Sequence, residues 1–511
     1  MTRALLVAAL LSAHQAAWAT TGPRMATRGA CKAKKVRRGN TGHSQGPQAE
    51  GCLARVISAQ KSQRNKSEKV SPTLKNASAR LTSPRVDKKL LVPRLAPAPT
   101  LLSSLLGGAD RVNAALVREG FYGSVGLAYF QHSREFNSQH DLYGGAIQFH
   151  LSPRLRSAHI TGKIQARLMN SDILSGNKSQ NALVEGYVTR NYQHSALRIG
   201  KQIVVWGRAD GINPTDNLTP RNYTLLLPLG RNQRFGTTAL KYDYFLTRNY
   251  TATLFLTPYF SPSIIPLPLP GITTVSKDPN PSLKNTEVAL KINKTGGAAD
   301  WSLSYFHGFN LLPGLEPNGF TSTGPQLALE YNRIDVIGAD FATTMGRYGL
   351  RGDMAYFRPE NRSGYQPFIM SPYLSYVAGG DRTFDRNLNI DVQIIGTWVH
   401  HYHDPMTVNN PFLQEIALQN AITYGQRDRT SYGLSARIRK TWLNNTLVTE
   451  ILIIGGLSRA SWYLRPLIRY SFTDNLKALL GADIYGGQTD TFYGRLRPLS
   501  GGFGEMKYYF Q

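Results

Sequence analysis

The chain has 511 residues, of which 41% are hydrophobic and 18% charged, and its mean hydropathy is −0.29. No apolar run beyond the N-terminus approaches the roughly 18–20 residues that a spanning helix needs, which excludes a polytopic helical membrane protein. Few charges combined with 26 Tyr and 47 Gly suit a β-protein that shows an apolar face at every second residue. A transmembrane β-barrel is therefore the first candidate, with a soluble β-sandwich or propeller behind it.

Residues 1–19 read as a secretory signal. Arg3 supplies the charge, 4–13 (ALLVAALLSA) the short apolar stretch, and Ala17-Trp18-Ala19 a small-x-small cleavage pattern. The net charge of +27 is uneven: 21–100 hold 18 Lys or Arg against Glu50, Glu68 and Asp87. With hardly any aromatic residue, 20–100 cannot bury enough apolar surface to offset ordering entropy and is expected to be disordered. Both cysteines, Cys31 and Cys52, fall in it. So low a cysteine content suits an oxidising envelope compartment, and two isolated cysteines make no metal site. After a proline-rich hinge at 93–99, residues 101–120 can form a short helix or entrance segment, interrupted by Gly107-Gly108.

From about Phe121 to Gln511 the texture is a two-residue alternation. Ile160, Gly162, Ile164, Ala166 and Leu168 form one face, and Thr161, Lys163, Gln165 and Arg167 the other. The pattern repeats at 250–256, 388–398, 432–439, 462–470 and 476–484. Segments of this length fit a tilted strand crossing the hydrocarbon layer, and about 18 of them are expected, apolar toward lipid and polar toward a lumen. Short links at 247–249 and 473–475 read as periplasmic turns; 261–284, 358–386 and 403–429 read as surface loops or inward plugs. Met506, Tyr508 and Phe510 alternate toward lipid. Tyr508 and Phe510 resemble the aromatic C-terminal signal read by the bacterial barrel-insertion machinery, although Gln511 follows them.

The most distinctive stretch is 197–228, LRIGKQIVVWGRADGINPTDNLTPRNYTLLLP. Its Arg198, Gly200, Lys201, Gln202, Trp206, Gly207, Ile212, Asn213, Pro214 and Asp216 follow the pattern R-x-G-[KR]-Q, WG and INP-x-D. That pattern resembles Gram-negative outer-membrane barrels of the alginate-export type and their uncharacterised relatives. The resemblance spans about 30 residues and implies a monomeric barrel of about 18 strands passing an anionic polysaccharide or other solute. On the residues themselves, Gly and Pro set a compact turn, and Asn213, Asp216 and Asn217 can satisfy backbone donors. Arg208, Asp210, Asp216 and Arg221 are expected to form a charge network that shapes a constriction; the competing reading is a loop that only braces the wall.

The polar faces carry Lys163, Arg167, Arg198, Lys201, Lys241, Lys291, Arg351, Arg437, Arg439, Arg465 and Arg469 against Glu185, Asp243, Glu330, Asp391, Glu450 and Asp483. Basic side chains in surplus would attract anions; complete pairing would make them a structural ladder instead. His400, His401 and His403 do not suggest a metal, because alternation splits adjacent residues between faces. No Walker loop, GxSxG, CxxC pair or HExxH occurs.

The sequence therefore predicts an all-β outer-membrane barrel, non-enzymatic and without cofactor or metal, that passes an anionic solute through a basic lumen. Its expected partners are outer-membrane lipid, lipopolysaccharide, the insertion machinery and the solute, not nucleic acid. Alternatives are a plugged barrel that anchors surface polysaccharide and, behind it, an outer-membrane hydrolase.

Overall fold

The computed structural model describes residues 111, 113–118, 121–132, 142–155, 159–171, 178–223, 233–265, 272–322, 324–361, 363 and 366–510. The predicted signal, the basic segment with Cys31 and Cys52, residues 101–110 and Gln511 lie outside them. Of the expected entrance helix, residue 111 and 113–118 are helical.

The first strands are β1 (Phe121–His132), β2 (Leu142–Leu155), β3 (Ile160–Ser171), β4 (Lys178–Asn191), β5 (Ser195–Gln202), β6 (Thr237–Phe245) and β7 (Tyr250–Thr257). They continue with β8 (Thr273–Lys277), β9 (Glu287–Lys294), β10 (Ala299–Phe309), β11 (Gly314–Thr321), β12 (Gly324–Glu330), β13 (Arg333–Met345) and β14 (Tyr348–Pro359). The last are β15 (Tyr373–Phe384), β16 (Leu388–Val399), β17 (Thr430–Trp442), β18 (Leu447–Gly456), β19 (Ser461–Ser471), β20 (Leu476–Gly487) and β21 (Gly501–Phe510). All but β8, β11 and β12 belong to one 18-stranded sheet. β1 pairs antiparallel with both β2 and β21, so the sheet closes on itself and has no open edge.

The alternation resolves into an outer and an inner face. Leu127, Ile199, Leu303, Ile337, Ile394 and Leu480 stand outward, each more than half exposed. Such a continuous apolar belt is intolerable in water and suits hydrocarbon, where only a helix or a closed barrel can satisfy every backbone group. Tyr and Trp cluster toward the belt's margins, as in Tyr250 against Trp301 and Tyr470 against Phe472. This is the architecture of outer-membrane barrels, and it places the chain in a Gram-negative outer membrane. Short turns such as 246–249 and 472–475 lie at one end, together with Phe121 and Phe510. Met506 and Tyr508 face outward beside Leu127 and Val125; Phe510 is buried with its ring over Gly123.

One expected loop is corrected. Within 358–386 only 360–372 and the short turn that begins at Asp385 connect strands, and β15 is a full member of the wall. Gly379-Gly380-Asp381-Arg382 reads like a turn, but Tyr376 and Arg382 keep the outward parity and Val377 and Asp381 the inward one. Gly379 is required there, since a Cβ would lie 2.1 Å from Val392 O.

Opposite the short turns, the long connections fold into a cap. β12 joins β11 antiparallel and β8 parallel. Helix α1 (Pro411–Thr423), capped by Asn410 and started by Pro411, lays Ile416 against Leu315 and Leu327. Buried Asn420 acts as a surrogate strand partner, accepting from Leu315 N and donating to Leu315 O, both at 2.8 Å.

Inside the wall, Asp483 is fully buried and accepts from Arg465 Nε (2.5 Å), Arg465 Nη2 (2.9 Å) and Tyr463 Oη (2.5 Å). Asp483→Ala leaves the Arg465 charge uncompensated in a site that is itself buried, and should cost about 3–5 kcal/mol. A marked drop in the temperature at which the barrel loses its heat-modifiable gel mobility checks this, while Tyr463→Phe should cost much less.

Candidate functional site

The segment that follows β5 does not run over the surface; it folds into the barrel. Gln202, fully buried, anchors its start by donating to Ala239 O at 2.8 Å. Val204 and Thr219 clasp each other, Val204 N donating to Thr219 Oγ1 (3.0 Å) and that hydroxyl donating back to Val204 O (2.6 Å). Residues 205–218 thus form a closed excursion. Val204, Trp206 and Leu218 pack on an apolar patch of the inner wall: Ala239, Phe255, Ala289, Phe306, Val336 and Phe357. Those residues sit on β6, β7, β9, β10, β13 and β14, so the segment lies along that arc.

Its tip is held by charge. Asp353, on β14, accepts from Arg208 N (2.9 Å) and Ala209 N (2.9 Å). With its amide set to donate toward the surrounding acceptors, Asn213 reaches Ala209 O at 2.7 Å and Asp353 Oδ2 at 2.8 Å. Gly207 is needed for two reasons. Its φ is +93°, and a Cβ would sit 2.8 Å from Asp353 Oδ2 and 2.7 Å from Thr215 Oγ1. Arg208 extends to Asp340 (2.6 Å) and Asn293 (2.6 Å), and Asp210 bridges Arg351 (2.7 Å) and Arg437 (2.8 Å).

The expected four-residue network is two networks. Arg208 and Asp210 fasten the tip to the wall, whereas fully buried Asp216 holds the base through Arg221 (2.9 Å) and Arg234 (2.5 Å). Arg234 could not be placed by the motif, since it lies beyond it in sequence. Burial pulls its guanidinium below the ordinary range, and Asp216 opposes that pull.

Among the predicted lumenal cations Lys201 is misplaced. It lies three residues from Arg198, so the two cannot share one face of a strand. The register puts Lys201 on the outward face with Ile199 and Leu240, while Arg198 points inward over the Tyr187 ring and donates to Thr189 Oγ1. The others point inward, yet most are committed. Lys163 pairs with Glu185, Lys241 with Asp243, Lys291 with Asp340 and Arg465 with Asp483. Arg351 pairs with Asp210 and Asp381, and Arg167 is buried. Glu330 lies outside the wall, beside Lys277 in the cap. The balancing acids Asp300, Asp340, Asp353, Asp381 and Glu505 escaped the sequence reading, because short or glycine-rich stretches hid their parity.

The inner wall is consequently divided. Asp300, Asp340, Asp353, Asp381 and Asp391 crowd the arc from β10 to β16, where the inward segment docks. Arg437, Arg439, Arg465, Arg469, Lys477 and Lys507 occupy β17, β19, β20 and β21, with only Glu450, Asp483 and Glu505 among them. Arg439 and Arg469 have no ion-pair or hydrogen-bond partner among the described residues, and the Arg469 Nε is buried without one.

At the cap, Arg459 grips Asp428 with two bonds (2.6 and 2.8 Å) and Asp490 with a third (2.6 Å). Its hydrogen bond to Asp428 raises its affinity for its proton. Arg495, on the short helix α2 (Phe492–Leu496), reaches Glu415 of α1 at 3.0 Å. The His400 ring stacks between Trp398 and His401.

No family model and no curated protein matches the sequence. Among solved structures, Pseudomonas aeruginosa OccK11 (OpdR) is 10% identical with a TM-score of 0.43, the match covering 76% of this chain and 95% of that one. A BenF-like porin from Pseudomonas fluorescens Pf-5 is 6% identical with a TM-score of 0.46, over 76% and 98%. Pseudomonas aeruginosa OccK5 (OpdH) is 9% identical with a TM-score of 0.45, again over 76% and 98%. Likenesses this distant carry no argument about cargo; the barrel rests on its own strand register.

Proposed function

We propose that the chain is a porin-like, non-enzymatic channel whose lumen passes an anionic solute, with the inward segment forming the constriction. The observation that carries this reading is the division of the inner wall. The segment anchors on Asp340 and Asp353 of the acid-rich arc and reaches the basic arc only through the Asp210–Arg437 pair, which leaves the rest of β17 to β21 to face the passage. Unpaired Arg439 and Arg469 stand there, and cationic side chains in a confined lumen concentrate anions. Arg also forks onto carboxylates, so a uronate-type polysaccharide is the first solute to offer. The motif that resembles alginate-export barrels supports the same choice, since it is the inward segment itself. Lipopolysaccharide and the insertion machinery are the partners such a barrel meets during assembly.

A second reading, a plugged surface-binding barrel, is favoured by the cap. Arg459 ties the β18–β19 turn to Asp428 and Asp490 of two other connections, and Arg495 adds a further tie. Single-channel conductance of refolded protein in a planar bilayer, with reversal potential under a salt gradient, separates the two. Anion-selective steps blocked by a uronate polymer are expected; a heat-modifiable barrel that gives no steps would mean a plug.

A further inference from the structure

The outer face at the short-turn end carries charge that the lumen does not explain. Arg382 on β15 lies over the rings of Tyr348 (5.0 Å) and Phe384 (4.7 Å) and donates to Tyr348 Oη at 2.7 Å, while its Nε is buried without a partner. The register sets Tyr348 opposite Arg382, and Leu388 opposite Lys440 two strands further on. Lys440 in turn sits 3.8 Å over the Trp442 ring. The two turns that flank Arg382 each present an exposed arginine, Arg347 and Arg386, neither with a partner among the described residues. Arg386 is held at φ +60°, a conformation that turns it away from regular strand geometry. Among the described residues, Asp385 is the one acid on the outer face of β13 to β17 at this end; Asp381 points inward, and Asp335 lies at the opposite end of its strand.

We propose that this arc is a binding surface for anionic phospholipid headgroups in the leaflet at the short-turn end. Charge complementarity argues for it. A phosphodiester at the interface can take the free nitrogens of Arg382 and be approached from both sides by Arg347, Arg386 and Lys440. The acyl chains would continue onto the outward Phe341, Met345 and Leu443, which are exposed immediately beside it. Aromatic rings stacked under the cations hold those side chains in place at the interface, which lowers the entropic cost of engaging the headgroup. The proposal rests on the membrane-spanning barrel and is independent of what passes through the lumen.

The test uses the full-length protein in detergent, titrated with phosphatidylglycerol or phosphatidylethanolamine and read by native mass spectrometry. The wild type should retain phosphatidylglycerol preferentially. The triple variant Arg347→Gln, Arg386→Gln, Lys440→Gln should lose about fivefold in that preference for each side chain removed, as for basic groups near an anionic surface. A control with Arg190→Gln and Arg248→Gln, elsewhere on the same rim, should lose little. The proposal is overturned if wild type shows no lipid preference, or if the control loses as much as the triple variant. It is equally overturned if the triple variant changes the number of copies per particle, which would make the arc a contact between copies of the chain.

Discussion

Excising the inward excursion should raise the single-channel conductance several-fold. Because Val204 and Thr219 are already clasped by two hydrogen bonds, a short Gly-Ser link can replace 205–218 without displacing β5 or β6. What is lost is the Trp206 and Leu218 packing, the salt bridges of Arg208 and Asp210, and those of Asp216 to Arg221 and Arg234, so Arg221→Gln and Arg234→Gln accompany the excision. The barrel should still form, since no wall strand is interrupted, but at a lower melting temperature because the apolar patch of β6 to β14 becomes wet. Gly207→Ala tests the same point with one atom group. Alanine at φ +93° is strained by about 1–2 kcal/mol before the contacts with Asp353 and Thr215 are considered. Its tip should detach intermittently, seen as added open-channel noise. An unchanged conductance in the excised protein would mean that the segment braces the wall and constricts nothing.

Much of this arrangement could be read from the residues, and its failures have physical causes. Wall strands with an unbroken period of two, such as Ile160 to Leu168 and Leu388 to Trp398, were legible because one face meets hydrocarbon and the other water. The strand count was legible for the same reason. β15 was not, because its wall needs Gly379 for close backbone approach and glycine carries no face. The inward segment announced itself through Trp206-Gly207 and Asn213-Pro214, residues that only a tight, buried turn requires. Its anchors did not, since Asp340 and Asp353 lie more than 130 residues away in sequence. Lys201 shows the opposite error: its charge suggests the lumen, but its spacing from Arg198 forbids that face. Pairing of the lumenal cations is hard to read from sequence because most of the acids that match them come from other strands, and parity within one strand says nothing about its neighbours.

That pairing decides which charges govern selectivity. Reversing Lys163, Lys241 or Arg465 sets a negative charge against Glu185, Asp243 or Asp483 and mainly destabilises the barrel. Arg439→Glu with Arg469→Glu is different, because neither side chain has an ion-pair or hydrogen-bond partner among the described residues to lose, and a carboxylate set across from half-exposed Glu450 costs only about 1 kcal/mol or less. The double variant should fold, lose its anion preference and show a reversal potential of opposite sign. The effect should shrink as ionic strength rises, since about 0.1 M salt already screens over about 10 Å. Glu450 supplies the matching experiment in the other direction. It stands directly across from Arg439 in the register of β17 and β18 yet forms no ion pair among the described residues. Its negative charge therefore subtracts from the basic arc without holding any side chain in place. Glu450→Gln should strengthen anion selectivity at unchanged stability. If both variants leave the reversal potential where the wild type has it, the basic arc does not face the conducting path, and the anionic-solute reading fails with it.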